Sequence, residues 1–136
     1  MRKDIIKRIE DAKNNLIVFK NSSCVDKIEL AARLCVQSIK KNGKIIFCGN
    51  GGSASDSAHL SAELVGRYLK NRKPYASLSL VSNLSVITAI ANDFGYEDIF
   101  ARQLDAIGNK NDVLFAISTS GKSKNVLKAI KTANNK

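Results

Sequence analysis

Lys44-Ile45-Ile46-Phe47-Cys48-Gly49-Asn50-Gly51-Gly52-Ser53-Ala54-Ser55 decides how this chain is read. A short apolar run with strand character passes directly into a glycine-rich turn and then into small residues that can open a helix. The same design returns at Val113-Leu114-Phe115-Ala116-Ile117, followed by Ser118-Thr119-Ser120-Gly121-Lys122-Ser123. A helix N-terminus leaves backbone N–H groups unpaired and carries partial positive charge, so hydroxyls and glycines placed there make a receptor for phosphate. Two such turns point to a phosphorylated small molecule.

Working outward, the pattern alternates. Strands are expected over 44–48, 76–81 and 112–117, and helices over about 54–70, 83–91 and 123–134, with a further amphipathic stretch from Asp98 to Ile107. This order predicts an α/β fold with a parallel sheet covered on both faces, its ligand at the carboxyl ends of the strands. Two helices precede it. Ile5, Ile9, Ala12, Leu16 and Phe19 form one apolar face, interrupted at Asn21-Ser22-Ser23. A second face runs Ile28, Ala31, Ala32, Cys35 and Ile39, opened by Asp26 with Glu29 as a capping-box pattern and stopped at Asn42-Gly43. This pair either makes oligomer contacts or packs as a simple layer. No linker divides the chain, so residues 1–136 read as a single domain, with helices over 1–42 and an α/β core over 43–136.

Composition narrows the class. At 136 residues and 44% hydrophobic content, one core is affordable. There are 22 Lys+Arg against 12 Asp+Glu, a formal charge of +10, but the positive residues are scattered, as at Lys40-Lys41, Arg72-Lys73 and Lys122 to Lys136. A solvated basic surface that steers an anionic metabolite fits this better than a nucleic-acid interface. No apolar run approaches the ~20 residues a bilayer span needs, and the amphipathic N-terminus is unlike a signal peptide, so no membrane association and a cytoplasmic location are expected. Cysteines 24, 35 and 48 lack a metal-type spacing and read as small buried hydrophobes. Cys48, beside the glycine turn, could also be taken for a nucleophile, yet no second catalytic group is fixed next to it.

Ser55, His59 and Glu63 are four residues apart and share one helical face, with Ala58, Leu60 and Leu64 available to turn toward the sheet. A His and a Glu at this spacing either form an exposed helix pair or supply two ligands to one metal, or a base and its orienting partner. Their position just after the glycine turn favours the functional readings. Ala91-Asn92-Asp93-Phe94-Gly95-Tyr96 reads either as a turn capped by Asp93 or as an amide and a carboxylate that hold sugar hydroxyls.

Together these residues carry a resemblance. Cys48 to Ser53, His59-Leu60-Ser61-Ala62-Glu63-Leu64-Val65-Gly66-Arg67-Tyr68, Asn92-Asp93-Phe94-Gly95 and Ile117 to Ser123 resemble the sugar-isomerase (SIS) fold, and more narrowly the bacterial phosphoheptose isomerases. The resemblance covers the chain from about the first helix to its end. It implies a flavodoxin-like three-layer α/β sandwich and a homotetramer. It also implies conversion of sedoheptulose 7-phosphate to D-glycero-D-manno-heptose 7-phosphate, toward nucleotide-activated heptose for lipopolysaccharide or capsule.

By the same resemblance, Ser118, Thr119, Ser120 and Ser123 would bind phosphate, with Ser53 reaching it from the first turn. Asn50, Gly51 and Gly52 would line the sugar, Asn92 and Asp93 would hold hydroxyls, and Arg67 would order the acidic wall. Glu63 would be the base that forms the enediol(ate), since burial can raise a carboxylate pKa toward working pH. Zinc would be held in part by His59 and Glu63. The family also implies a glutamine and a second histidine on a later helix, and a last strand. None lies before Lys136, so a C-terminally shortened isomerase is expected. Two other classes share the architecture: a SIS-fold protein that binds the bacterial replication initiator, and a regulatory domain that binds a phosphosugar without catalysis. Glu63 and the uninterrupted Thr119-Ser120-Gly121 loop favour the enzyme.

Overall fold

The computed structural model describes residues 1–136, which form two compact units, Met1–Val36 and Gln37–Lys136. The first unit holds α1 (Arg2–Lys20) and most of α2 (Cys24–Lys40). The three-four spacing does produce helices here, but the apolar face of α1 is not buried: Ile5, Ile9, Leu16 and Phe19 are 54%, 60%, 69% and 44% exposed. The expected Asp26 cap is displaced as well. Ser22 Oγ accepts the Cys24 N–H at 3.2 Å, and α2 starts at Cys24, three residues earlier than a cap at Asp26 would allow, so Asp26 falls in its first turn. Glu29 pairs instead with Arg33 at 2.6 Å, one turn on.

The second unit is built on three parallel strands, β1 (Ile45–Gly49), β2 (Ser77–Ser79) and β3 (Val113–Ile117), in the order β2-β1-β3. Apolar residues fill all five positions of β1 except its terminal glycine, as a strand covered on both faces requires, and all five are buried. On one face Ile46 and Cys48 join Leu80, Ile99, Phe100, Leu104, Val126 and Ala129 in the main core. That core is closed by α4 (Leu84–Phe94), α5 (Ala101–Ile107) and α6 (Lys124–Asn134). Of the amphipathic stretch expected over 98–107, Asp98 closes a 3-10 turn that starts at Tyr96, and the helix begins only at Ala101.

The other face is covered by α3 (Gly52–Val65). Ser57 and Ser61 are the buried residues of this helix, whereas Ala58 and Leu60, expected to face the sheet, are exposed. Small side chains let the helix approach closely. Ser77 Oγ donates to Ile45 O at 3.0 Å and lies 3.2 Å from Ser61 Oγ, whereas the buried Ser79 Oγ finds no partner. The helix also stops earlier than the expected residue 70. Gly66 ends it, and Arg72 donates to the last-turn carbonyls of Glu63 at 2.8 Å and Leu64 at 2.9 Å, a cation at the negative end of the helix. No helix is long and apolar enough to cross a membrane.

Candidate active site

Parallel pairing aligns Gly49 with Ile117, so the glycine turn after β1 and the serine loop after β3 leave the sheet side by side at its carboxyl edge. Gly51, at φ +56°, takes the left-handed conformation that the turn into α3 needs. Gly49 is required for a different reason: a Cβ there would lie 2.7 Å from Ser53 Cβ and 2.9 Å from Ile117 O. The half-buried Ser53 follows, its N–H donating to Asn50 O at 3.0 Å.

In the second loop the hydroxyl oxygens take local backbone donors. Ser118 Oγ accepts the Gly121 N–H at 3.1 Å, Ser120 Oγ accepts the Lys122 N–H at 3.2 Å, and Ser118 and Ser123 oxygens lie 3.4 Å apart. A hydroxyl whose oxygen is so engaged still has its proton to offer, which suits a receptor for an oxyanion. Gly121 turns the loop at φ +64°, and α6 starts one residue after Ser123.

Asn50, the residue after β1, sits in a network that sequence reading missed. Its amide exchanges two hydrogen bonds with Asn125, at 2.9 and 2.8 Å, and its Oδ1 also accepts from Tyr96 Oη at 3.0 Å. These three residues line a cavity of about 580 Å³ with Ser123, Lys124 and Glu97. Asn125 could not be found from local pattern, because its partner lies 75 residues away.

His59, Glu63 and Arg67 face a second cleft, of about 800 Å³, walled by apolar side chains that include Phe47, Leu64 and Phe115. The rings of Phe47 and Phe115 stack at 5.3 Å between centroids. His59 Nε2 and Glu63 Oε1 are 3.9 Å apart, with side chains 72% and 35% exposed. That approaches the separation of two donors on one tetrahedral zinc, roughly 3.4 Å from its bond lengths. The pair therefore fits as two donors, and no group of three or more His, Cys, Asp or Glu side chains is placed to hold a metal within these residues.

Asn92 and Asp93 sit elsewhere. The expected turn over Ala91–Tyr96 is helical as far as Phe94, with Gly95 at φ +97° making the turn. Both side chains are exposed and bond each other at 2.8 Å, and neither lines either of these two clefts. Cys48 is fully buried, and burial pushes its thiol up to about 12, so it offers no thiolate nucleophile.

Strand, Gly/Ser turn and helix repeated on neighbouring parallel strands define an α/β domain whose loops gather at one edge of the sheet, and the SIS domain model matches residues 9–136, so the chain belongs to the SIS domain family. Its relatives there are phosphoheptose isomerases. The one from Helicobacter pylori strain P12 is 53% identical over 111 residues, 82% of this chain and 58% of that protein. One from Campylobacter jejuni serotype O:6 is 55% identical over 106 residues, 78% of this chain and 57% of that one. The chain thus spans somewhat over half the length of these curated relatives. Among solved structures, phosphoheptose isomerase from Neisseria gonorrhoeae superposes with a TM-score of 0.89 at 35% identity, covering 98% of this chain and 69% of that one. The enzyme from Francisella tularensis gives 0.91 at 32%, with the same coverage.

Proposed function

We propose that the chain forms the sugar-phosphate site of an aldose–ketose isomerase that interconverts sedoheptulose 7-phosphate and D-glycero-D-manno-heptose 7-phosphate. The product would feed nucleotide-activated heptose synthesis for lipopolysaccharide or capsule. The observation that carries this reading is the Gly49–Ile117 register, which sets a glycine turn and a hydroxyl loop together at the carboxyl ends of adjacent strands. The names of the relatives support it further.

In this reading Ser118, Thr119, Ser120 and Ser123 hold the phosphate, with Ser53 opposite and the α6 N-terminus behind them. Asn50, Gly51 and Gly52 line the sugar, and Arg67 orders the wall beside Glu63; Asn92 and Asp93, which line neither cleft, take no part in this reading. Moving a carbonyl between C1 and C2 requires a proton to leave one carbon and another to reach its neighbour. Glu63 takes the first proton as the enediol(ate) forms. Its side chain lies on a cleft with apolar walls and is 35% exposed, so it is open to a substrate entering from solvent.

His59 and Glu63 would hold zinc from this chain, as two of its ligands. Bound zinc would polarise an oxygen ligand and fix the two side chains. The working form is a cytoplasmic homotetramer in this reading, joined in part through the exposed apolar face of α1. Calorimetry with sedoheptulose 7-phosphate, phosphate-free sedoheptulose and inorganic phosphate tests the proposal, together with an aldose–ketose assay. Binding that requires the phosphate, and prefers the sugar phosphate to inorganic phosphate, is expected. Equal binding of the phosphate-free sugar would overturn it.

A further inference from the structure

The amides of Asn50 and Asn125 could satisfy each other in two polarities, since exchanging oxygen for nitrogen in both would keep both bonds. The backbone of Val126 removes the choice. Its N–H can only donate, and it meets Asn125 Oδ1 at 2.9 Å, so the Asn125 oxygen must lie there. Asn125 Nδ2 is then the donor to Asn50 Oδ1, and Asn50 Nδ2 the donor to Asn125 Oδ1. Tyr96 Oη approaches the same Asn50 oxygen at 3.0 Å, and because that oxygen can only accept, the tyrosine proton is committed to it.

The remaining valences follow by counting. Asn50 Oδ1 has accepted two hydrogen bonds and one Nδ2 proton is spent, which leaves one N–H for a ligand. Tyr96 has spent its proton and keeps lone pairs. Asn125 is 3% exposed and Tyr96 is 59% exposed, so the first anchors the arrangement and the second reaches solvent within the cavity.

We propose that Asn125 and Tyr96 are positioning residues that turn Asn50 into a donor toward the ligand, with Tyr96 itself as the adjoining acceptor. A donor beside an acceptor matches two neighbouring hydroxyls of a sugar, one accepting from Asn50 and the next donating to Tyr96. The inference rests on the isomerase reading above and adds to it the two residues that fix which way the Asn50 amide faces the sugar.

The test measures binding of sedoheptulose 7-phosphate and of inorganic phosphate to the 136-residue chain, its Tyr96→Phe variant and its Asn125→Asp variant. Tyr96→Phe keeps the ring and removes only the exposed hydroxyl, so folding is preserved. Asn125→Asp keeps the acceptor for Val126 but removes the donor to Asn50. Each variant is expected to lose about fivefold in sugar-phosphate affinity, the effect of one neutral hydrogen bond, with inorganic phosphate unaffected. If the wild type binds the sugar phosphate and Tyr96→Phe matches it, the positioning role is overturned while the isomerase reading stands. Equal losses for both ligands would show general damage to the loops and overturn it too. A wild type that does not bind the sugar phosphate removes both.

Discussion

Lys44 and Asp112 meet across the amino ends of β1 and β3 by two routes at once: Lys44 Nζ lies 2.6 Å from Asp112 Oδ2, and the Lys44 backbone N–H donates to Oδ1 at 2.9 Å. The Asn109 N–H adds a third donor, at 2.9 Å from Oδ2. Burial of this carboxylate works against its charge, but the hydrogen bonds from Lys44 and Asn109 and the Lys44 ammonium outweigh it, and its pKa lies below the ordinary 3.8. Its stabilisation is therefore complete above about pH 4 and is lost as pH falls through the lowered folded value. Asp112→Asn should cost about 1–3 kcal/mol in urea unfolding at pH 7, and its deficit relative to wild type should shrink at pH 3.

At the opposite edge of the sheet, Gly49→Ala should be far more damaging than Gly52→Ala. A Cβ at Gly49 meets the Ser53 backbone oxygen at 2.7 Å and Ile117 O at 2.9 Å, whereas at Gly52 it meets nothing within 4 Å. Overpacking of this kind costs about 1–3 kcal/mol. Gly49→Ala should also weaken phosphate binding, because it forces the two loops apart. Thermal unfolding and phosphate titration of both variants check this.

Ser120→Ala should weaken sugar-phosphate binding by about 1.5–3 kcal/mol, the worth of a hydrogen bond to a charged group. Ser120 is exposed and its only bond here accepts from the Lys122 N–H, so the fold should survive. Unchanged affinity in calorimetry would move the phosphate away from this loop.

Glu63→Gln keeps size and shape but removes the base. Aldose–ketose turnover should drop by about 10²–10⁴ while sugar-phosphate affinity changes little. His59→Ala should instead be read in zinc content, with weaker zinc retention on dialysis. Equal zinc retention in His59→Ala and wild type would exclude the pair as a metal site.

The helices of the first unit make a separate prediction. Ile5, Ile9 and Leu16 are each more than half exposed in the single chain, an apolar stripe of the sort that subunit contacts cover. Ile9→Glu or Leu16→Glu should lower the assembly state seen by light scattering. Deleting residues 1–22 should do the same or cause aggregation. An unchanged oligomer in all three would place the contact elsewhere.

Sequence made the strand–turn–helix units legible because their causes are local: apolar runs, glycines at positive φ and hydroxyls within a few residues. It overran α3 because the stop depends on Arg72, which reaches back eight and nine residues to the helix carbonyls. It misjudged the inward face of α3 for a related reason: apolar periodicity favours Leu60, whereas close packing on β1 and β2 selects Ser57 and Ser61. At the site, Asn50 was visible in the glycine turn. Asn125 and Tyr96 were not, since their part depends on which chain segments the sheet register brings together.

Cys48 gives the central strand a built-in clock. Its sulfur is sealed in the core at 0% exposure and its thiol is held up to about 12, so a thiol reagent meets neither access nor thiolate while the sheet is closed. Cys24 and Cys35 are only partly buried. Modification of Cys48 therefore follows the opening of β1 from its neighbours, and its rate, set against those of the other two thiols, measures how often the floor beneath the two loops comes apart.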